Sequence, residues 1–385
     1  MKKFTLILAT VALLAAGCSK TEVVGPQNGK GINFAAYTAK TTKAPQIDVE
    51  RGNLTKFEVT AFGNGALYFD NVTFEKHTTN NITVWESDTK YFWPAFALTF
   101  CAYNTPSGYA TQVQPTGFGR TINTTTQTLE VIPATELANQ EDLVAAYAAA
   151  KTESDVENIS KSLSLTFNHY LTQVIVKAKN ARYNTYKVVV ESVKIANMVG
   201  HGTYTFSNNK MTAAPGNTAV YTATFNGKKL TSVAQEVMTN AGTGRWYLIP
   251  QDVTSWDPKT DRTNTNHGTY LALKVKITAN SGALKIYPAK DEEFGWMAVP
   301  IQVPNPVPNP VPNPANQFTF AKGKRYTFTI HFFANNGAGY VDPEVPSELD
   351  GDPSTKDNGK KIIGGEIKFN ATVDPWGNND IEINL

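Results

Sequence analysis

Cysteine, histidine and unbalanced charge are all scarce in this sequence of 385 residues. It contains 2 Cys and 5 His, and its 35 Lys and Arg residues nearly balance its 33 Asp and Glu residues. So few cysteines mean that packing rather than disulfide bonding must hold the fold together. A nearly neutral chain without basic clusters is not expected to bind nucleic acid or to coat an anionic membrane through charge.

Long hydrophobic runs are also lacking, apart from one near the start. Lys2 and Lys3 precede an apolar run over residues 4–14, which is shorter than the about 20 residues of a membrane-spanning helix. Small residues follow and end at Cys18. This order predicts a lipoprotein signal peptide over 1–17 and lipidation of Cys18, for example by palmitate. An ordinary signal peptide cut near Gly17, with an incidental cysteine, is the alternative.

Motifs that carry catalysis or bind metals are missing as well. The chain has no Gly-x-Ser-x-Gly, no P-loop and no His-Glu-x-x-His, and no Cys or His pair has metal-ligand spacing. The acidic run 291–293 could supply a glycosidase acid or a calcium ligand, but adjacent carboxylates on a polar loop are usually solvated. His169 ends an alternating segment, where a structural role is expected. We therefore predict no enzyme, no cofactor and no metal site.

The sequence does contain many segments in which apolar residues alternate with polar ones. This period places one face of a strand on a core, as antiparallel sandwiches require, so the chain is predicted to be all-β. Cys101 lies in such a segment and is expected to be a small buried side chain. The segment 139–150 is the single candidate for a helix, although its start also fits a strand. The alternating sets include Phe57/Val59/Ala61, Leu98/Phe100/Ala102, Leu163/Leu165/Phe167, Leu271/Leu273/Val275/Ile277, Tyr326/Phe328/Ile330/Phe332 and Ile367/Phe369/Ala371/Val373.

A polar interruption near 151–161 predicts two tandem sandwich domains. The predicted order is the signal peptide 1–17, a tether 18–31, an N-terminal β-sandwich 32–160 and a C-terminal β-sandwich 161–385. The second contains a triplicated Val-Pro-Asn-Pro segment at 303–314, in which Pro at every second position favours a stiff extended spacer. It is interpreted as a surface loop extension, with a ligand for a Pro-recognising partner as the alternative.

Six tryptophans give the sequence a second possible function. Exposed aromatic faces stack on sugar rings, although most tryptophans in a sandwich simply fill its core. A surface lipoprotein that binds glycans is therefore the alternative function, and it requires at least two aromatic rings exposed on one face. The tryptophans are Trp85, Trp93, Trp246, Trp256, Trp296 and Trp376.

Several segments, taken in order, resemble the Bacteroidales fimbrillin family, the Mfa-like structural subunits of type V pili. A lipobox Cys18 and a tether precede a first strand at 32–37. The remaining segments are Tyr-Phe-Trp-Pro at 91–94, the strand 98–106, Glu-Asp-Leu-Val-Ala-Ala at 141–146, Phe-Asn-His-Tyr-Leu-Thr-Gln-Val at 167–174, Tyr-Leu-Ile-Pro-Gln at 247–251 and Val-Asp-Pro-Trp at 373–376.

The resemblance implies a surface-exposed lipoprotein precursor at the outer membrane, with two transthyretin-like sandwiches and a role in adhesion. In such proteins a protease removes the first strand, and a strand from another subunit fills the groove. Here the displaced strand would place Ile32 and Phe34 on the core. The cut would fall between Lys43 and Ala44, with Lys40 and Arg51 as alternative sites; the strand could also remain in place.

The resemblance further implies a donor strand, for which the C-terminus is the candidate. Ile381, Ile383 and Leu385 alternate there, although this strand could equally close its own domain. The expected partners are other fimbrial subunits, copies of this chain or its relatives, the outer membrane through the lipid and a host protein or glycan. Whether the subunit belongs to the stalk, the anchor or the tip stays open.

Overall fold

The computed structural model describes residues 30–38, 48–49, 52–80, 82–104, 117–158, 160–240, 244–282, 284–289, 292–301, 317–347, 357–363 and 367–375. Within these ranges the chain is almost entirely β-strand, so the predicted all-β class is confirmed. The strands up to residue 169 are β1 (Phe34–Thr38), β2 (Asp48–Val49), β3 (Gly52–Asn53), β4 (Lys56–Gly63), β5 (Ala66–Thr79), β6 (Ile82–Glu86), β7 (Leu98–Tyr103), β8 (Gly117–Ile122), β9 (Gln127–Ile132), β10 (Val144–Lys151) and β11 (Leu163–His169).

The second half continues in the same way. Its strands are β12 (Thr172–Asn180), β13 (Tyr186–Val199), β14 (Gly202–Thr205), β15 (Lys210–Ala213), β16 (Thr218–Lys229), β17 (Gln235–Glu236), β18 (Trp246–Leu248), β19 (Gln251–Thr254), β20 (Tyr270–Ala279), β21 (Lys285–Tyr287), β22 (Gly295–Pro300), β23 (Gln317–Phe320), β24 (Lys324–Phe332), β25 (Tyr340–Val341) and β26 (Lys368–Pro375). Short 3-10 turns lie at Leu137–Asn139 and Glu153–Asp155.

The predicted helix at 139–150 is wrong. Most of that segment is β10, which pairs antiparallel with β7 and with β11. Its Ala-rich composition favours a helix locally, but pairing on both sides and burial on the core override that propensity.

The N-terminal unit is a sheet that closes on itself. Its strand order is β1-β11-β10-β7-β4-β5-β6, and β6 returns to β1. The alternating apolar residues of these strands point into one core, which includes Phe57, Val59 and Ala61 of β4. The predicted alternation therefore gave the correct buried face.

The C-terminal unit is a sandwich of two sheets. One sheet has the order β17-β12-β24-β26, with β18 also beside β12, and the other has the order β16-β13-β20-β22-β25, with β21 beside β20. Their facing apolar side chains form a single core. Most pairs are antiparallel, but β12 and β24 are parallel, as are β1 and β11.

A small sheet connects the two units. Its order is β15-β14-β9-β8, so strands from both halves of the sequence pair with each other. Its core takes Tyr103 and Leu129 from the first half, and Tyr204 and Ile249 from the second. Two further pairs, β19 with β23 and β2 with β3, complete the described pairings.

The joint predicted at 160/161 needs correction. Strand β11, just after that point, pairs with β1 and β10, and its side chains Leu163, Leu165 and Phe167 lie in the N-terminal core. The first unit therefore extends through β11, because the polar segment at 151–161 is a connection within it. The Pro-rich segment 303–314 lies outside the described residues, between β22 and β23.

Candidate functional site

The first strand is held unequally by its two neighbours. It runs parallel to β11, from Phe34 opposite Leu163 to Thr38 opposite Phe167. On its other side, within the residues that the structure describes, β1 is registered with β6 at one position, Phe34 opposite Trp85. The sheet is therefore closed by extensive pairing on one side of β1 and by very little on the other.

The residues just before β1 continue this closure. The backbone N–H of Ile32 donates a hydrogen bond of 2.8 Å to the carbonyl oxygen of Tyr91, and that of Trp93 donates one of 3.1 Å to the carbonyl oxygen of Lys30. The tryptophan belongs to the Tyr-Phe-Trp-Pro segment recognised in the sequence. That segment thus docks the chain as it enters the sheet.

Phe34 is the central core residue of β1. Its side chain is 0% exposed, and its ring centroid lies 4.7 Å from that of Phe74, 5.3 Å from that of Phe100 and 6.1 Å from that of Phe57. Ile32 is also buried in this core. The sequence predicted that Ile32 and Phe34 would face the core but did not identify the rings around Phe34, because alternation indicates a buried face and not the strand that covers it.

Other predicted site residues lie outside the described residues. These are the lipidation residue Cys18, the processing residues Lys40, Lys43, Ala44 and Arg51, and the candidate donor residues Ile381, Ile383 and Leu385. Their assignments stay predictions.

An ion pair connects the closed sheet to the small sheet. Arg120 of β8 binds both carboxylate oxygens of Asp70 on β5, at 2.6 and 2.7 Å, and Thr60 of β4 donates to the same carboxylate at 2.9 Å. The hydrogen bonds from Arg120 lower the pKa of Asp70 most strongly, although partial burial opposes them. The paired geometry fixes β8 against the outer face of the closed sheet.

His169, the histidine of the family-like segment, has a structural position. Its Nδ1 lies 2.5 Å from Oδ2 of Asp142; the aspartate side chain is 1% exposed and the histidine side chain 9%. The carbonyl oxygen of Asp142 accepts a hydrogen bond from Asn104, whose own Oδ1 accepts one from the N–H of Val144. These contacts join the start of β10 to the end of β11, which supports the structural role expected for His169.

The described part of the acidic run near 291–293 lies at the surface. Glu292 is exposed, and Glu293 is exposed and pairs with Lys276 at 3.4 Å. Across the described ranges, no group of three or more His, Cys, Asp or Glu side chains is arranged to hold a metal ion. No helix in those ranges has the length and apolar character needed to cross a membrane.

The tryptophans give little support to a glycan-binding face. Trp85, Trp93, Trp246 and Trp256 are buried, at 6% exposure or less, and Trp376 lies outside the described residues. Trp296 is partly exposed, but the ammonium of a neighbouring lysine lies 4.7 Å from its ring centroid. The described tryptophans therefore do not form the pair of exposed rings that a sugar platform requires.

Comparison with known proteins gives the class of molecule. The sequence profile of the fimbrillin-like family matches residues 35–347, which is most of the chain; the match begins within β1 and covers the rest of the closed sheet and most of the second sandwich. The chain therefore belongs to the fimbrillin-like family. Its members are structural fimbrial subunits, so the chain is a fimbrial structural protein and not an enzyme.

Solved structures with similarity to this chain include two fimbrial proteins. A fimbrial protein from Bacteroides vulgatus shares 14% identity, with 90% of this chain and 99% of that chain covered at a TM-score of 0.47. The fimbrial anchor protein Mfa2 from Porphyromonas gingivalis shares 12% identity, with 79% of this chain and 90% of that chain covered at a TM-score of 0.31. No curated protein matches the sequence significantly.

Proposed function

We propose that this fimbrial subunit is made as a lipoprotein precursor in which β1 occupies its place only until assembly. The signal peptide 1–17 directs export, Cys18 carries the lipid, and residues 18–31 tether the protein to the outer membrane. Proteolysis between Lys43 and Ala44 then releases β1. A strand from another subunit takes its place, and the assembled fimbria acts in adhesion at the cell surface.

The burial of Phe34 between three aromatic rings is the observation that carries this proposal. Removal of β1 would expose the rings of Phe57, Phe74 and Phe100 to water. It would also leave the backbone groups of β11 along its edge without their present partners. An exposed apolar groove beside an unpaired strand edge favours the addition of another strand.

The groove defines what an incoming strand must present. In the orientation of β1, alternate residues would have to fill the positions of Ile32, Phe34 and Ala36, which are 2%, 0% and 6% exposed. The first two positions accept large apolar side chains, and the third is small. Of the alternating C-terminal residues, Ile381 and Ile383 match the two large positions, whereas Leu385 is larger than the Ala36 that it would replace. We therefore propose a second copy of this chain as the donor on the strength of the first two positions.

Controlled cleavage tests the exchange step. A site-specific protease sequence is placed within residues 39–47 of a chain that begins at residue 19, and the protein is analysed before and after cutting. We expect cutting to produce a ladder of polymers that resists SDS without boiling. The uncut protein is the control, and a cut variant that lacks residues 381–385 tests the donor. A cut protein that stays monomeric and retains the β1 fragment would contradict strand exchange.

N-terminal sequencing of the cell-surface form tests processing. We expect it to begin at Ala44, with Lys43→Gln blocking the cut. Lys40→Gln and Arg51→Gln are matched controls that should leave it unchanged. A surface form that keeps a lipidated Cys18 would instead indicate that β1 is retained.

A further inference from the structure

A lysine and an aspartate are buried together on the outer face of the C-terminal sandwich. Lys194 lies in the central part of β13, and Asp342 directly follows β25. Their side chains are 7% and 0% exposed, and Nζ of Lys194 lies 2.8 Å from Oδ2 of Asp342. Burying both charges away from water costs desolvation free energy, which close pairing and further hydrogen bonds must offset.

The two oxygens of Asp342 have very different surroundings. Oδ1 accepts hydrogen bonds from the hydroxyl of Tyr270 at 3.1 Å and from the backbone N–H groups of Glu344 and Val345, both at 2.9 Å. Oδ2 is buried and lies 2.8 Å from Nζ of Lys194, and no group in the described part of the chain donates a hydrogen bond to it. Burial raises the pKa of Tyr270, which therefore stays protonated as a donor.

Aromatic rings surround the lysine nitrogen. Nζ of Lys194 lies 4.7 Å from the ring centroid of Trp296 and 5.7 Å from that of Tyr270. Trp256 and Tyr340 pack in the same small apolar cluster. These aromatic and apolar side chains line the lysine nitrogen and shield the contact between Lys194 and Asp342 from water.

We propose that Lys194 and Asp342 condense into an intramolecular amide bond after the chain folds. The site holds the amine against the carboxyl group, and the three donors on Oδ1 are placed to stabilise negative charge on that oxygen during attack. This inference concerns the second sandwich alone and does not depend on strand exchange.

The reaction balances without an oxidant, a cofactor or a second protein. A proton moves from the ammonium of Lys194 to Oδ2 of Asp342, and the neutral Nζ attacks Cγ. Negative charge gathers on Oδ1, the nitrogen gives a second proton to Oδ2, and the Cγ–Oδ2 bond breaks. One Nζ–Cγ bond replaces one Cγ–Oδ2 bond, and one water molecule leaves.

The product would be a covalent link that reducing agents cannot open. It would join the middle of β13 to the segment after β25, on the two sides of the paired strands β20 and β22. A chain with only 2 Cys cannot obtain this kind of reinforcement from a set of disulfide bonds.

Intact mass spectrometry tests the proposal directly on the purified chain from residue 19 onward. We expect a denatured mass below the sequence mass by one water, about 18 Da, and a branched peptide that contains Lys194 and Asp342 after digestion. A wild-type mass equal to the sequence mass, with both peptides linear, would overturn the proposal without recourse to any variant.

Substitutions at Lys194 and Asp342 then test whether these two side chains form the amide bond. Lys194→Met and Asp342→Ala should restore the full mass, whereas Asp342→Asn should lose ammonia, about 17 Da, if the same attack occurs. Lys274→Met is the matched control, because Lys274 pairs with Glu191 at 2.8 Å in a more exposed setting and should leave the loss of water unchanged. Loss of water that persists in Lys194→Met would place the dehydration elsewhere and refute the assignment.

Discussion

The substitution Phe34→Ala measures how strongly β1 is held in the precursor. The ring is fully buried, so transfer to water alone accounts for about 1.5–3 kcal/mol. A cavity term adds to this, because a closed sheet lined by Phe57, Phe74 and Phe100 has little freedom to collapse around the lost ring. We expect the N-terminal unit of the precursor to lose about 3–5 kcal/mol of unfolding free energy.

Denaturant titration, followed by hydrogen exchange at the amides of β11, provides the assay. Those amides report on the N-terminal unit, since residues 163–167 of β11 pair with β1. Phe96→Ala is the matched control: Phe96 lies in the same unit but is 38% exposed, and its loss should cost below about 1 kcal/mol. After cleavage at Lys43 the wild-type and Phe34→Ala chains become identical, so their polymers should be indistinguishable.

Two outcomes would refute this reasoning. A Phe34→Ala precursor that unfolds within about 1 kcal/mol of the wild type would show that β1 contributes little to the core. A difference that persists between the two cleaved proteins would show that residues 30–38 remain associated after cutting.

Three further results are expected. Arg120→Gln should lower the free energy of unfolding by about 1 kcal/mol at neutral pH, because the ion pair is partly exposed. The pKa of Asp70 is lowered in the folded state, so its stabilising effect is present above the unfolded pKa and is lost as pH falls through the folded pKa. The difference between variant and wild type should therefore vanish in acid, and an equal difference at pH 2 and pH 7 in denaturant titrations would contradict the pairing. Burial raises the pKa of the Cys101 thiol to about 12. In a chain that starts at residue 19, a thiol reagent at pH 8 should therefore modify Cys101 only after unfolding, and rapid labelling of the native protein would contradict this. Gly339→Ala should lower the free energy of unfolding by about 2 kcal/mol, because Gly339 has a φ of +79° and a methyl group there would collide with Sδ of Met297. Thermal unfolding measures this effect, and an unchanged Tm would contradict that geometry.

Much of the core could be predicted from alternation alone. Leu163, Leu165 and Phe167 all lie in the core as their spacing indicated. The C-terminal alternation was less informative: Ile367 is buried, but Val373 of the edge strand β26 is 44% exposed. Alternation identifies two faces of a strand, and burial of one face additionally requires a second layer that covers its whole length.

Strand partners could not be predicted in the same way. The parallel pairs β1 with β11 and β12 with β24 join segments far apart in sequence, and no local pattern specifies such a pairing. The polar segment at 151–161 therefore predicts a joint before β11, whereas the pairing of β11 with β1 puts β11 in the first unit. Lys194 and Asp342 are likewise distant in sequence and became recognisable as a pair only through their positions around β20 and β22.

The connection between β11 and β12 has a mechanical consequence. Only Tyr170 and Leu171 separate a strand of the closed sheet from a strand of the second sandwich, and both are buried. A two-residue link of this kind cannot extend, and its side chains pack in the core that both halves share. A filament made of such subunits would bend at the contacts between successive molecules, while each molecule in it would behave as one stiff segment under tension.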